Sequence, residues 1–240
     1  MKTISSKDPA ASNTLRAMKF TLLATSLALL AVGCGSSNSS APTAAQSGPT
    51  MSFFVSSAKS TTGNLAGLAG ADATCQRLAQ NVGLGAKTWR AYLSVEHDAA
   101  NNNNATDARS RIGSGPWFNA KGVMVAANLT DLHARKGDAT VFLDETGAQI
   151  PGNWTGSPTP IEHDILTGSN ADGTLMVGFT CSDWTSAATT AVAQVGHSDG
   201  LGPNGDTSGT LALWTSAHAN QNCSNTAPRG GAGRIYCFAR

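Results

Sequence analysis

The sequence predicts an α+β fold, because short strand-like segments lie at both ends of its apolar part and one amphipathic helix lies between them. Residues 52–55 and 233–238 are the first and last predicted strands, and residues 89–95 alternate large and small side chains like a further strand. A third feature is the Gly-, Ser-, Thr-, Asp- and Asn-rich segment 151–203, which predicts a long loop region. A loop of this length is functional, disordered or cross-linked, and the cysteines favour cross-linking.

The helix is predicted over residues 73–81, with Asp72 as its N-cap. Apolar side chains recur near helical spacing along this segment, which places Cys75 on the buried face of the helix. Weaker patterns predict a short second helix over 106–112, strands over 122–126 and 139–143, and a hairpin turn over 144–147.

The composition excludes two classes of protein. The chain has 240 residues, of which 13% are charged, with 16 Lys and Arg against 15 Asp and Glu. A nucleic-acid-binding protein needs clustered basic residues to contact phosphates, and this balance does not provide them. The hydrophobic share of 40% is too high for a wholly disordered chain.

Residues 1–33 are predicted to be a signal peptide, with Met18 as a candidate true start. Met18 and a lysine precede an apolar run over 20–30, and small residues lead to Cys34, as in a secretory signal. The apolar run is too short for a permanent transmembrane helix. The segment before Cys34 resembles a bacterial lipobox, which implies that Cys34 carries a lipid anchor. The alternative is an ordinary signal peptide with an incidental cysteine.

Residues 34–50 are predicted to be the lipidated cysteine and a flexible Ser/Pro-rich tether, and residues 51–240 the folded domain. The tether contains no large apolar side chain after Cys34, so it cannot repay its ordering entropy, and its average reach is about 20–24 Å. By resemblance to the enterobacterial sorting pattern, Gly35 in place of Asp favours the outer membrane or cell surface. The membrane is therefore a predicted partner through the lipid anchor.

The domain contains four cysteines, Cys75, Cys181, Cys223 and Cys237. An even number in an exported protein predicts two disulfides, for which three pairings are open. A cysteine zinc site needs close pairs, and the smallest spacing here is that between Cys223 and Cys237. A nested pairing would join the two ends of the domain and close a loop within its second half.

Several motifs together resemble the endostatin/collagen NC10-like group of the C-type-lectin-like superfamily, which includes bacterial lipoproteins. The resemblance covers about residues 52–239. The matching segments are residues 63–75, 90–94, 131–132, 166–173, 180–185, Trp214 and residues 234–238.

This resemblance implies a C-type-lectin-like fold with two helices, small antiparallel sheets and a long loop region. It also implies the nested disulfides Cys75–Cys237 and Cys181–Cys223, and a role in binding. The Glu-Pro-Asn, Gln-Pro-Asp and Trp-Asn-Asp triplets of calcium-dependent sugar binders do not occur in the chain, and neither do the amino-terminal zinc histidines of endostatin. We therefore predict no metal and no cofactor.

The chain matches the sequence motifs of enzymes and metal sites only weakly. Residues 196–200 match the G-x-S-x-G pattern of hydrolases, but the residues that follow cannot begin the helix that a nucleophilic Ser198 would need. Residues 162–164, Glu-His-Asp, are interpreted as a polar loop, because consecutive residues seldom point at one ion. Three histidines are predicted to be isolated and to face solvent: His97, His133 and His218.

Aromatic residues in loops are the candidate ligand contacts. Trp117 and Trp154 are predicted to contact a ligand, whereas Trp184 and Trp214 are assigned to the core. The predicted function is that of an exported, lipid-anchored, non-catalytic module that binds a protein or glycan ligand in adhesion or recognition. The alternatives are a structural envelope lipoprotein without a specific ligand and, less favoured, a serine hydrolase that uses Ser198.

Overall fold

A six-stranded sheet organises the chain in this computed structural model, which describes residues 50–240. The described part is a mixed α+β structure with few helices, small sheets and two disulfides. The predicted signal peptide, the lipidated Cys34 and the tether up to residue 49 lie outside the described residues.

The helices and strands are short, apart from the first helix and the last strand. The helices are α1 (Gly67–Asn81) and α2 (Leu129–Ala134). The strands are β1 (Phe53–Val55), β2 (Trp89–Ala91), β3 (Val95–Asp98), β4 (Asn104–Thr106), β5 (Trp117–Phe118), β6 (Met124–Ala126), β7 (Asp164–Leu166), β8 (Gln194–His197), β9 (His218–Ala219) and β10 (Gly231–Ala239). Neither helix of residues 50–240 has the length and apolar character that crossing a membrane requires.

Strand β10 is the centre of the sheet. It pairs antiparallel with β1, where Phe54 lies opposite Cys237, and antiparallel with β2. Its other edge pairs in parallel with β7, after which β8 and β9 follow in antiparallel order. The first and last strands of the domain are therefore neighbours, and β7, β8 and β9 form one side of the sheet.

Helix α1 begins at Gly67, six residues before the predicted start, so the prediction that Asp72 caps it is wrong. Asp72 lies inside the helix, buried, and its carboxylate accepts hydrogen bonds from Arg111, Arg90 and the backbone N–H of Ala91. The Arg111 side chain is 9% exposed. The Asp72 carboxylate therefore joins α1 to β2 and balances a buried guanidinium.

Replacing Asp72 with alanine is expected to lower the free energy of unfolding by about 3 kcal/mol, because Arg111 would be left buried without its counter-charge. Urea denaturation of the two proteins measures the difference. Arg77→Ala is the matched control, since Arg77 is an exposed charge on the same helix and its loss should change stability by less than about 0.5 kcal/mol. Equal effects of the two substitutions would contradict the assignment.

The core lies on both faces of the sheet, because alternate residues of β1 and β10 point in opposite directions. One cluster includes Phe54 and packs under α1, and the other includes Phe53 and the aromatic rings of the opposite face. Trp117 belongs to the second cluster. It is 1% exposed and packs edge-on against Phe238 at 5.5 Å, so the prediction that Trp117 contacts a ligand is wrong. Trp184 and Trp214 are buried, as predicted.

Three weaker predictions have different outcomes. The predicted second helix over 106–112 is only a 3-10 turn at Ala108–Arg111, and the second α-helix is α2, whose start is capped by the side chain of Asn128. Residues 139–143 form turns in place of a strand, with one isolated bridge at Leu143. The turn predicted over 144–147 is present and is closed by the N–H of Gly147 bonding to the carbonyl of Asp144.

The disulfides join Cys75 to Cys237 and Cys181 to Cys223, which are the pairs that the family resemblance implied. The first links α1 to β10 and has a Cα–Cα distance of 5.4 Å. The second closes the loop that contains β8 and β9, with a Cα–Cα distance of 5.7 Å. Both are fully buried, so each sulfur is also a core contact.

One turn of the chain, Cys181–Trp184, is left-handed, with φ between +48° and +63° at all four residues. Such a conformation costs roughly 1–2 kcal/mol for each L-residue. The surrounding contacts offset that cost: the disulfide at Cys181, the hydroxyl of Thr180 bonded to the N–H of Asp183, and the indole of Trp184 bonded to the carbonyl of Ser94 at 2.9 Å.

Candidate metal centre

Strands β7, β8 and β9 bring three histidines and one aspartate together. Asp164 lies directly opposite His197 in the β7–β8 ladder, and His163 immediately precedes β7. His218 lies opposite Val195 in the β8–β9 ladder, and residues 195 and 197 of a strand share one face. We call the set His163, Asp164, His197 and His218 the histidine cluster.

The Nε2 atoms of the three histidines converge on the Asp164 carboxylate. The Nε2 atoms of His163 and His197 lie 3.4 and 3.3 Å from Asp164 Oδ1, and that of His218 lies 3.6 Å from Oδ2. The Nε2 atoms of His197 and His218 are 3.0 Å apart. Four ligand atoms around a tetrahedral zinc ion with bonds of 2.0–2.1 Å are separated by about 3.3 Å. The ligand atoms of His163, Asp164 and His197 all lie within 4.8 Å of one another, and the two separations from Asp164 Oδ1 are close to the tetrahedral value.

The cluster is buried and its carboxylate lacks hydrogen bonds. His163, Asp164 and His197 are 1–3% exposed, and neither oxygen of Asp164 accepts a hydrogen bond from any residue of the range 50–240. Leaving a buried carboxylate unpaired is costly, and buried charges are otherwise paired or coordinate metals. The side chain of His218 is 28% exposed and forms the side of the cluster that faces solvent.

The other ring nitrogen of each histidine is held by an acceptor. Nδ1 of His163 donates to Asp199 Oδ1 at 2.7 Å, Nδ1 of His197 to the carbonyl of Leu211 at 2.8 Å, and Nδ1 of His218 to the carbonyl of Ala219 at 2.9 Å. An imidazole that donates from Nδ1 keeps a lone pair on Nε2 when it is neutral. The same outer contacts orient the histidine ligands of known metal sites.

The histidine cluster and Asp199 together contain two buried carboxylates and three imidazoles that act on one another's charge. Burial raises the pKa of Asp199, but the hydrogen bond from His163 and two backbone N–H groups outweigh it, so this carboxyl is held below its usual pKa. Burial lowers the pKa of His197, but the Asp164 carboxylate more than compensates and raises it above the ordinary value. The buried Asp164 carboxylate faces the Nε2 atoms of the three histidines, and either a proton on an imidazole or a divalent cation would balance its charge.

The sequence-based interpretation of these residues needs correction. Residues 162–164 are not a polar loop: His163 and Asp164 are buried at the start of β7, and they meet at one point despite being consecutive. His218 is neither isolated nor directed away from the protein. His133 is half-buried, and its Nε2 accepts a hydrogen bond from Tyr92. His97 is exposed, as predicted.

Sequence reasoning considered His197 and Asp199 only as neighbours of Ser198 in the G-x-S-x-G segment and did not connect them with a metal site. The one available signal was the density of such residues, since three of the five histidines and five aspartates fall within residues 163–218. Their convergence depends on the strand register and could not be deduced from spacing.

The remaining sequence candidates lie apart from this geometry. The Ser198 hydroxyl is buried and forms no hydrogen bond with any residue from 50 to 240, so it lacks the general base that a serine nucleophile requires. Trp154 is half-buried in the loop over 151–160, where its indole donates to the carbonyl of Ile150 at 2.9 Å.

A groove of about 600 Å³ lies elsewhere, beside the start of α1. Several of its charged side chains pair with one another, as Arg111 does with Asp72 and His97 with Asp183. The histidine cluster, in contrast, contains a buried carboxylate that accepts no hydrogen bond from any residue of the range 50–240. We therefore identify the cluster as the candidate functional site.

Comparison of the chain with known proteins found no matching family model and no similar curated protein.

Proposed function

We propose that this protein is an exported, lipid-anchored envelope module that binds one divalent transition-metal ion, with zinc as the best fit. The observation that carries the proposal is the buried carboxylate of Asp164, which accepts no hydrogen bond within residues 50–240 and faces the Nε2 atoms of His163 and His197. The proposed ligands are therefore His163, Asp164 and His197. His218, on the side that faces solvent, is the candidate for the fourth position.

The donor set favours zinc over the hard cations. Calcium takes six to eight oxygen ligands, and magnesium requires an octahedral shell of oxygens. The cluster offers three imidazole nitrogens and one carboxylate, which suit zinc and neighbouring transition metals. With the Asp199 carboxylate in contact with His163, the charge of a divalent ion would be balanced by two carboxylates.

The proposed role of the metal is structural, because His218 as the fourth ligand would leave no coordination position for a substrate. The ligands come from β7, β8 and β9, so a bound ion would tie together the three strands at one side of the sheet. Such a site agrees with a non-catalytic module.

Several features support the proposed compartment and fold. The signal-like segment, Cys34 and the tether argue for export and a lipid anchor. Two buried disulfides argue for folding in an oxidising compartment. Paired first and last strands and nested disulfides support a C-type-lectin-like fold. Recognition of a protein or glycan by the loop that carries Trp154 remains a second proposal, favoured by the partial exposure of that indole.

The test is zinc binding by the oxidised full-length protein, stripped with a chelator and titrated with zinc chloride at pH 7.5. We expect one zinc per chain by native mass spectrometry and by calorimetry, with no comparable binding of calcium or magnesium. Asp164→Asn and His197→Gln should each weaken binding by at least tenfold.

His97→Gln is the matched control, because it removes an exposed histidine outside the cluster and should bind zinc as the unaltered protein does. Absence of zinc binding by the folded, oxidised protein would refute the proposal. So would an equal loss of affinity in His97→Gln and Asp164→Asn.

A further inference from the structure

The two most buried imidazoles of the cluster are stacked. The rings of His163 and His197 are 4.3 Å apart between centroids and nearly parallel, with an interplanar angle of 11°. A metal ion binds imidazole through the Nε2 lone pair, which lies in the plane of the ring. Because the two ring planes are nearly parallel and stacked, no position close to both Nε2 atoms lies in both planes. Binding one ion to both nitrogens therefore requires at least one ring to tilt.

Tilting the His163 ring would act on Asp199 through the 2.7 Å hydrogen bond to its Oδ1. The Asp199 carboxylate is 5% exposed and holds two further groups. Oδ1 also accepts from the backbone N–H of Leu201 at 3.0 Å, and Oδ2 accepts from the backbone N–H of Asn153 at 2.7 Å. One carboxylate thus connects a candidate metal ligand to two loops. His197 and His218 differ, because their Nδ1 atoms bond to backbone carbonyls.

The loop over 151–160 is closely fitted to Asp199. A Cβ atom added to Gly152 would lie only 2.2 Å from Asp199 Oδ2, so the backbone approaches the carboxylate at a distance that only glycine permits. The same added atom would lie 3.2 Å from the indole of Trp154. A shift of the Asp199 carboxylate would therefore displace this loop and the Trp154 indole.

We propose that metal occupancy of the histidine cluster controls the conformation of the two surface loops over 151–160 and 199–206, with Asp199 as the connecting residue. The proposal rests on the proposed metal binding and adds a consequence at the surface. A bound ion holds the His163 ring, and through it constrains the Asp199 carboxylate that accepts from the N–H groups of Asn153 and Leu201. The metal-free protein lacks that constraint, and the Trp154 face changes with it. A ligand that binds this face would distinguish the two metal states.

The test is hydrogen–deuterium exchange of the oxidised full-length protein, with zinc content measured on the same samples. Zinc should slow exchange at least tenfold in peptides that contain Asn153 and Leu201. The peptide over 170–177 is the internal control, because its loop is held by Asp172 and should not respond. In Asp199→Asn, which retains the size of the side chain, bound zinc should no longer protect the two loops.

The outcomes separate the two proposals. If zinc binds and exchange in the loops is unchanged, the coupling is refuted while metal binding stands. If zinc slows exchange equally in the control peptide, the effect is general stabilisation and the coupling is refuted. If zinc does not bind, both proposals fail. Persistence of the zinc effect in zinc-loaded Asp199→Asn would show that another residue carries the coupling.

Discussion

Replacing Cys75 and Cys237 together with alanine is expected to lower the free energy of unfolding by about 5 kcal/mol. The two residues are 162 positions apart, so their bond closes most of the folded domain into one loop and removes a large entropy from the unfolded chain. The bond also joins α1 to the central strand β10. A loss of this size is a large part of the stability of an ordinary domain.

Chemical denaturation of the oxidised proteins measures this loss, and the other disulfide provides the comparison. Replacing Cys181 and Cys223 with alanine should cost about 4 kcal/mol, because the loop that they close spans only 42 positions. A loss of less than 1 kcal/mol for the Cys75 and Cys237 pair would contradict the argument from chain entropy.

Asp164→Asn is expected to have opposite effects on stability in the metal-free and zinc-loaded proteins. Without metal at pH 8, asparagine replaces a buried, unpaired carboxylate with an amide that can donate to imidazole lone pairs, so the melting temperature should rise. With zinc in excess, the unaltered protein should gain about 4 kcal/mol at a thousandfold excess over the dissociation constant. The variant should gain much less, and the order of the two melting temperatures should reverse.

Thermal unfolding with chelator and with zinc measures this reversal, and His97→Gln serves again as the control. An Asp164→Asn variant that is less stable in both conditions would mean that the carboxylate has a structural partner. Equal stabilisation of both proteins by zinc would place the metal elsewhere. Such a reversal would show that Asp164 serves metal binding although it lowers the stability of the metal-free protein.

Local patterns predicted the parts of the fold that depend on nearby residues. The strands at the two ends of the domain are present, because a short apolar segment flanked by polar residues forms a strand in many contexts. The start of α1 was misplaced because Asp72, which suits an N-cap, is instead paired with Arg111, a residue 39 positions away. The residues next to Asp72 in the sequence give no indication of its pairing with Arg111.

The largest difference between the sequence-based prediction and the structure lies in the long Gly-rich segment. Residues 151–203 were predicted to be a loop region, yet β7 and β8 lie within it and carry the candidate site. These strands have three and four residues, too short for alternation to be recognised. They are stable because β7 pairs with β10 and β8 pairs with β7, which are long-range contacts.

The amino-acid sequence by itself determined the mixed α+β class, the terminal strands, the buried face of α1 and the four cysteines available for two disulfides. Only the tertiary structure decided that Asp164, His197 and His218 meet, and that Asp199 stands behind His163. The physical reason is that helical and strand patterns arise from neighbours along the chain, whereas a ligand set arises from the register of strands that are distant in sequence. A shift of one residue in that register would turn His197 to the other face of the sheet and remove it from the site.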